Sequence, residues 1–291
     1  MARKIKNDVA AVKEPFRFTW ATALMLVLFV VLAIVTLFPF YAISLASFKP
    51  GKELLRYGLN VRWDLDVMSF DNYKFLFSGN TNYMIWFKNS MWITVVQSAL
   101  TLFVSACVGY GFAMYDFKMK NVFFTCVLVI MMVPMEIIML PLYQEIVGMR
   151  IIDTVWGVIL PFVAMPLPIF FFRQFLSGIP KDLLDAGRVD GSSEYGIFGR
   201  IMLPLMAPSF AAMGIFVGMN SWNGFLWPLI VWRTDTKFTL PIGLNTLLSP
   251  YGNNYDVLIA GSVFAILPII ILFFCFQQYF IAGMTAGSVK G

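Results

Sequence analysis

The sequence predicts an all-α integral membrane protein with six transmembrane helices. Its 291 residues are 59% hydrophobic with a mean hydropathy of +0.78, whereas a soluble domain is close to half apolar. The apolar residues also gather into six runs, and a span needs roughly 20 of them to cross about 30 Å of hydrocarbon. The predicted spans are Trp20–Ala46, Met91–Met114, Val122–Ile146, Thr154–Phe172, Met202–Ile230 and Val257–Ile281.

The first span is apolar throughout and follows a short basic arm. It is too long for the core of a signal peptide, and no small-residue cleavage site comes after it, so we expect it to be retained. Polar residues separate each of the later runs from the next. Since six spans cross the membrane an even number of times, both chain ends are expected on one side.

Prolines fall inside or at the edges of the predicted spans. Each removes a backbone donor and favours a kink or a break in the helix. Broken helices are tolerated in a bilayer where they line a cavity or pack on protein. These positions therefore indicate either ordinary kinks or a path through the bundle. They are Pro39, Pro134, Pro141, Pro161, Pro166, Pro168 and Pro268.

The basic arm orients the spans, because positively charged residues next to a span favour the cytoplasmic side. We therefore predict cytoplasmic chain termini, a cytoplasmic segment after the fourth span, and outward-facing loops over residues 47–90 and 231–256. The arm carries Arg3, Lys4, Lys6, Lys13 and Arg17.

The composition excludes several classes of site. The chain has no His, and its three Cys residues are widely spaced, at Cys107, Cys126 and Cys275. Neither a metal-ligand set nor a disulfide pattern is indicated. No charge run typical of nucleic-acid binding is present. A membrane-embedded enzyme would need paired acids, a His cluster or a nucleophile at the membrane face, and none is evident.

A polar island, Asp182–Arg200, lies between two long apolar runs. The pattern predicts a short helix over 180–189, a turn at Asp190-Gly191 and a second short helix over 192–201. Apolar residues such as Leu184 stand among the charges, so the pair of helices would form a compact element with an apolar edge. Such an element suits docking to another protein; the alternative is a solvated loop with incidental amphipathicity.

This island resembles the EAA loop of binding-protein-dependent ABC importer permeases, whose pattern is E-A-A-x3-G-x9-I-x-L-P. The spacing matches at every position. Two residues differ from the pattern: an aspartate replaces the longer glutamate, and a glycine replaces an alanine, which costs a helix roughly 1 kcal/mol. The matching positions are Asp185, Ala186, Gly187, Gly191, Ile201, Leu203 and Pro204.

Four further segments are similar to the carbohydrate-uptake branch of that family. Trp86–Ser90 resembles its entry to the second span, and Pro141–Tyr143 its "IPLY" segment. Trp222–Leu229 resembles "WNxFLWPL", and Gly283–Gly291 the tail of maltose-type subunits. The resemblance implies a type I ABC importer permease with the MetI-like fold. It would have a cytoplasmic arm over 1–19, a six-helix permease domain over 20–282 with its coupling loop at 180–204, and a cytoplasmic tail over 283–291.

In this family the matched loop docks on a cytoplasmic ATPase, and the tail reaches towards the ATPase interface. The chain has no GxxxxGK[ST] phosphate loop. The resemblance therefore implies a non-catalytic subunit that binds no cofactor itself, with ATP and magnesium at the partner. The implied docking residues are Asp185, Ala186, Gly187, Arg188, Asp190, Gly191, Tyr195, Leu203 and Pro204. The implied tail residues are Thr285, Ala286, Gly287 and Lys290.

The resemblance also implies the partners. They are a second permease subunit in a heterodimer, two cytoplasmic ATPase subunits, an extracytoplasmic solute-binding protein, a sugar substrate and the lipid bilayer, with no nucleic acid. The location would be the cytoplasmic (inner) membrane of a bacterium or archaeon. ATP binding would move the coupling loops and rock the bundle between inward- and outward-open states.

Four residues are candidates for a substrate path. Glu136 lies within the third span, where a carboxylate costs on the order of 2.5–3.5 kcal/mol, so it is expected to face protein or a water-filled cavity; the alternative is the outer interface. Asn220 and Asn223 share a helix face, and with Trp222 they could contact sugar hydroxyls and rings. For the tryptophans here, the alternative is the interfacial aromatic belt.

Two other transport functions remain as alternatives. One is an ABC permease for a non-sugar solute such as glycerol phosphate. The other is a proton-coupled secondary transporter, which would carry several ionisable groups within its spans, whereas Glu136 is the one that the sequence places there.

Overall fold

The computed structural model describes residues 19–79, 81–248 and 254–286, and for residues 278–286 the backbone only. Within these ranges the chain is helical and contains no strand, which confirms the all-α prediction. The chain divides into two compact units, residues 1–69 and 70–291. The domain boundaries expected from the resemblance stay a prediction, and the N-terminal arm lies outside the described residues up to residue 18.

The first unit contains helices α1 (Trp20–Ala46) and α2 (Gly51–Tyr57). α1 has the bounds that were predicted for the first span. It begins there because the Thr19 hydroxyl accepts a hydrogen bond from the Thr22 amide, which satisfies a free donor of the first turn. Its side chains are apolar on every side, as expected for a helix surrounded by lipid or by other membrane helices.

The second unit is organised around α4, a helix of 32 residues. At about 1.5 Å per residue, α4 is about 48 Å long and exceeds the hydrocarbon thickness of a bilayer. The α-helices of this unit, α4 included, follow one another in chain order. They are α3 (Asp71–Phe77), α4 (Tyr83–Met114), α5 (Lys120–Met131), α6 (Met135–Gly148), α7 (Val155–Ile159), α8 (Pro166–Leu176), α9 (Asp182–Val189), α10 (Glu194–Ile197), α11 (Leu203–Leu205), α12 (Ala207–Trp222), α13 (Leu226–Val231), α14 (Leu240–Thr246) and α15 (Tyr255–Ala286).

Six membrane crossings are present if bent helix pairs are counted as single spans. Among the described residues, α1, α4 and the part of α15 up to Gln277 are each long and apolar enough to cross alone. Three further crossings are pairs of helices: α5 with α6 at 107°, α7 with α8 at 41°, and the segment from Glu194 to Leu205 with α12 at 75°. The proline positions left kinks or breaks open, and the third, fourth and fifth predicted spans are the ones that are broken.

Proline position explains where these spans break. Pro134 immediately precedes α6, Pro166 opens α8, and Pro208 lies in the first turn of α12. A proline at a helix start is compatible with the new helix but cannot continue the preceding one. In contrast, Pro141 and Pro268 lie inside α6 and α15 without ending them.

The ends of two spans also differ from the prediction. α4 begins at Tyr83, eight residues before the predicted Met91, because buried aromatic side chains rather than apolarity extend it: the Tyr83 hydroxyl donates to the Gly261 carbonyl at 2.7 Å. α12 ends at Trp222, not Ile230, and the chain resumes as a separate short helix, α13.

Candidate functional site

The polar island folds as two short helices, α9 and α10, joined by a turn at Gly191. Gly191 has φ of +75°, and an added Cβ would have no neighbour within 4 Å. Its amide donates to the Arg188 carbonyl at 3.0 Å, and the next amide, of Ser192, donates to Gly187 at 3.0 Å. These contacts confirm the predicted helix–turn–helix, and they show that backbone conformation, not space, requires glycine at position 191.

The base of the island is apolar and buried. Leu184 and Ile197 pack with Tyr110 and Met114 of α4 in a cluster that also includes residues of α8 and α12. Gly187 is buried in the same place: an added Cβ would lie 2.9 Å from Cγ1 of Ile197. The glycine that departs from the family pattern is thus matched by the isoleucine that fills the space an alanine methyl would occupy.

Arg188 joins the two short helices of the island. Its Nε donates to Glu194 Oε1 at 2.8 Å and its Nη2 to Oε2 at 3.3 Å, while Nη1 reaches Asp185 Oδ1 at 3.0 Å. Hydrogen bonding to Glu194 and Asp185 raises the pKa of Arg188. A planar guanidinium suits this forked geometry, which a lysine cannot reproduce.

The island is also tied to the turn between α4 and α5. The Tyr115 hydroxyl donates to Glu194 Oε2, and Lys181 Nζ lies 3.1 Å from Asp116 Oδ2, whose other oxygen contacts Lys120 at 3.0 Å. The two lysines hold the pKa of Asp116 below its usual range. Sequence reasoning missed these partners, because separations of 79 and 65 residues leave no local pattern.

The outer face of the island exposes both charged and apolar side chains. Tyr195 and Val189 are 90% and 88% exposed, and Asp185, Ala186 and Asp190 are also exposed. Exposure of apolar side chains to water is unfavourable, and apolar residues surrounded by charged ones are typical of a protein–protein contact. This face is therefore suited to contact with another protein.

The remaining island residues lie beyond the hairpin. Leu203 and Pro204 are exposed on α11, which follows a π-helical turn at 198–202 and precedes the bend into α12. The predicted tail falls largely outside the described residues. Thr285 and Ala286 end the backbone of α15, and Gly287 and Lys290 lie outside those residues.

The predicted path residues do not all lie together. Glu136 is exposed in the first turn of α6, at the 107° bend, where the helix N-terminus favours a carboxylate. Asn220 and Asn223 are exposed at the end of α12. Trp222 instead is buried: its indole donates to the Ala265 carbonyl at 3.2 Å and its ring meets Phe87 edge-on. This gives Trp222 a packing contact with α15, away from the asparagines.

A cavity of about 130 Å³ lies beside Asn220, where α4 meets the breaks after α7 and α12, and four polar side chains stand in its otherwise mostly apolar wall. The Ser221 hydroxyl donates to Gln97 Oε1 at 3.1 Å, and the Thr239 hydroxyl is buried without a hydrogen-bond partner among the described residues. Gln97 was not predicted, although an amide in the middle of a long apolar run is itself a pattern that indicates a polar contact. The polar lining consists of Gln97, Asn220, Ser221 and Thr239.

A second polar segment, the strap (Trp232–Leu240), lies near the opposite end of α4 from the island. On one side it is held by Asp153, which accepts from the Arg233 amide and the Thr234 hydroxyl at 3.0 Å each and from Lys237 Nζ at 2.7 Å. Burial raises the pKa of Asp153, but these donors outweigh it and bring the pKa to about 2. Asp153 has φ of +55°, a conformation that is uncommon outside glycine.

On its other side the strap is held by the start of α4. The Trp86 indole donates to the Asp235 carbonyl at 3.0 Å, and the Asn89 amide to the Phe238 carbonyl at 3.0 Å. The Ser90 hydroxyl accepts from the Leu240 amide at 2.7 Å. Three side chains of the segment Trp86–Ser90 therefore form hydrogen bonds with backbone groups of the strap that would otherwise need other partners.

A family model described as "Binding-protein-dependent transport system inner membrane component" matches residues 105–286, which include the island, the strap and most of the cavity lining. The chain belongs to this family. The matched residues contain the whole island. The spacing in the sequence and the hairpin in the structure therefore belong to the same part of the family model.

Known proteins of this family are similar along most of the chain. The arabinooligosaccharides transport system permease protein AraQ of Bacillus subtilis (strain 168) is 58% identical over 263 residues, 90% of this chain and 94% of that protein. The lactose transport system permease protein LacG of Rhizobium radiobacter is 34% identical, with 89% and 92% covered.

A solved structure has the same fold. In a crystal structure of a bacterial ABC transporter involved in the import of the acidic polysaccharide alginate, one chain superposes with a TM-score of 0.77. At 18% identity the match covers 91% of this chain and 99% of that one. The predicted fold, an ABC importer permease, is thereby confirmed.

Proposed function

We propose that this permease imports oligosaccharides by alternating access driven by a partner ATPase, with arabino-oligosaccharides as the first substrates to test. The observation that carries the ATP-driven part is the island: a stiff hairpin with a buried base on α4 and an exposed apolar and charged face. The sugar part rests on the relatives at 58% and 34% identity, whose names state oligosaccharide and lactose transport.

The exposed face of the island is the proposed docking surface for a cytoplasmic ATPase. Val189 and Tyr195 would fill a groove in the partner, while Asp185, Arg188 and Asp190 supply hydrogen-bonded contacts at its rim. Without a phosphate loop of its own, the chain would be non-catalytic and bind no cofactor, and ATP with magnesium would sit in two such ATPase subunits. The tail after α15 would reach the same partners.

The sides of the membrane follow from α4. The island packs on its C-terminal end and the strap on its N-terminal start, so a membrane-spanning α4 separates them. The basic arm favours the cytoplasm for the island end. The strap would then face outwards, towards a solute-binding protein, with both termini cytoplasmic. The apolar faces of the bundle would be shared between lipid and a second permease subunit in a heterodimer.

The polar cavity is the proposed contribution of this chain to the sugar path. Gln97, Asn220 and Ser221 offer amide and hydroxyl groups that match sugar hydroxyls, and Phe225 lies in the same wall. Bent spans meet at this cavity, as expected where irregular backbone lines a path within a membrane. Glu136 and Asn223 stay in the proposed path on the exposed side of the chain.

Reconstitution into proteoliposomes tests the proposal. The permease, its partner permease and the ATPase are combined with the solute-binding protein, and uptake of labelled arabino-oligosaccharide is measured with ATP hydrolysis. We expect hydrolysis to rise when the binding protein carries the sugar, and uptake to require ATP inside the compartment that holds the ATPase. Uptake that continues without ATP would indicate a secondary transporter, and stimulation by glycerol phosphate alone would contradict a sugar substrate.

A further inference from the structure

We propose that a latch formed by Tyr115, Arg188 and Glu194 passes displacement of the island to α4. This inference rests on the proposed function, because it assigns a coupling role to residues inside an ATPase-driven permease. It goes beyond docking: through Tyr115 and Glu194, which are not among the docking residues, the latch would determine how much of the ATPase motion reaches the transmembrane bundle.

The first end of the latch is fixed to α4. Tyr115 directly follows the last residue of that helix, and its amide donates to the Gly111 carbonyl at 3.3 Å. Its ring lies edge-on to the buried Tyr110, with centroids 5.5 Å apart. The hydroxyl that donates to Glu194 therefore moves with the end of α4. Burial and this hydrogen bond raise the pKa of Tyr115, so the phenol stays protonated as a donor at neutral pH.

The second end is fixed to both helices of the island. Glu194 opens α10, which is capped by the Ser193 hydroxyl accepting from the Gly196 amide at 3.2 Å. Its carboxylate receives a forked pair of hydrogen bonds from Arg188 of α9 in addition to the phenol. One carboxylate thus joins α4, α9 and α10.

A second contact, an ion pair, attaches the island to the α4–α5 turn at another point. Asp116 follows Tyr115 in the chain and pairs with Lys181, the residue before α9, at 3.1 Å. Two consecutive residues at the end of α4 therefore hold the starts of both island helices, Lys181 for α9 and Glu194 for α10. A hairpin that is held at two points cannot pivot freely about either one, so it turns together with the α4–α5 turn.

The apolar base alone does not explain coupling. Leu184 and Ile197 hold the island on the bundle by hydrophobic contact, which has no preferred direction and permits sliding. Hydrogen bonds to charged groups lose energy steeply when their distance or angle changes. The buried cluster thus provides attachment, and the polar latch provides the directional link that transmits movement.

Tyr115→Phe and Glu194→Gln test the latch in the reconstituted complex. Tyr115→Phe keeps the ring packing against Tyr110 and removes only the hydroxyl. We measure retention of the ATPase during purification, the rate of ATP hydrolysis, and sugar transported per ATP. Because exposed charged contacts are modest in strength, we expect each variant to lower sugar per ATP by about three- to fivefold, with ATPase retention unchanged. The double variant should be no worse than the stronger single one.

Glu53→Gln is the matched control, since it neutralises one acid on α2 in the other unit. Sugar per ATP equal to wild type in both latch variants would overturn the latch, as would losses that multiply in the double variant. Loss of the ATPase during purification would show a docking role and equally contradict it. If the wild-type complex itself shows no ATP-driven uptake, the proposed function is wrong. That result is read from the wild-type complex alone, so it is distinct from a failure of the latch, which is read from the variants.

Discussion

The island and the strap are polar segments near opposite ends of α4, and they are attached in different ways. The strap is held mainly through its backbone: Trp86, Asn89 and Ser90 contact its carbonyl and amide groups. The island is held by an apolar base and by side-chain ion pairs, in which Arg188 and Asp116 are 43% and 79% exposed. The strap is thus held mostly through its main chain, with the Lys237–Asp153 ion pair in addition, whereas the island packs on an apolar base and is tied by side-chain ion pairs.

The two ends of α4 are therefore held in different ways. Main-chain hydrogen bonds and the contacts of Asp153 hold the strap. Exposed ion pairs are weak individually, but each keeps a preferred direction. The island also exposes Val189 and Tyr195 on its free face. Under the proposed function, the strap keeps its shape, and the island receives a partner and moves with the end of α4.

The largest expected effect comes from Gly191, whose positive φ places the turn of the island. Gly191→Val should abolish uptake while leaving membrane insertion intact, because a β-branched residue is strongly disfavoured at this φ. Gly191→Asn should keep part of the activity, since asparagine tolerates the left-handed conformation. Uptake and membrane content are measured together.

Gly199 provides the control, because it also has open space around it but no positive φ. Gly199→Ala should transport normally. If Gly191→Val also transports normally, the shape of the turn is irrelevant and the island does not work as a stiff element.

A smaller effect should separate the two attachments. Asp153→Asn leaves Lys237, Thr234 and the Arg233 amide with a weaker acceptor, and should cost the strap about 1–2 kcal/mol. Hydrogen exchange of amides 232–240 reports the loss as faster opening. Asp116→Asn should change exchange at the island less, because Asp116 and Lys181 are both exposed to water. Equal effects at both sites would remove the proposed contrast.

The smallest effect concerns pH. The pKa of Asp153 is lowered from 3.8 to about 2, so its contribution to stability is present above pH 3.8 and is lost only as pH falls towards 2. Between pH 7 and 4, exchange of the strap amides, corrected for intrinsic rates, should therefore stay constant. Loosening near pH 5 would show that another group controls the strap.

The sequence alone was sufficient for much of the site. Apolar runs located the three long helices and the three bent pairs that could cross a membrane, and α1 has the predicted bounds. The island could be predicted because its helices and turn are local: the glycine at 191 and the charges around it act within a few residues. The same holds for the family pattern, whose spacing is a property of one short segment.

Only the tertiary structure decided how these parts join. A hydropathy pattern does not distinguish a straight span from two helices bent by 107°, because both bury the same residues in hydrocarbon. Gln97 meets Ser221, Tyr115 meets Glu194, and Asn89 meets the strap across separations of 79 to 149 residues. Such contacts depend on how helices pack, and packing is a property of the whole bundle. The sequence by itself therefore determined the membrane class and the helical hairpin of the island, whereas the cavity, the strap and the contacts between Tyr115 and Glu194 exist only once distant segments are brought together.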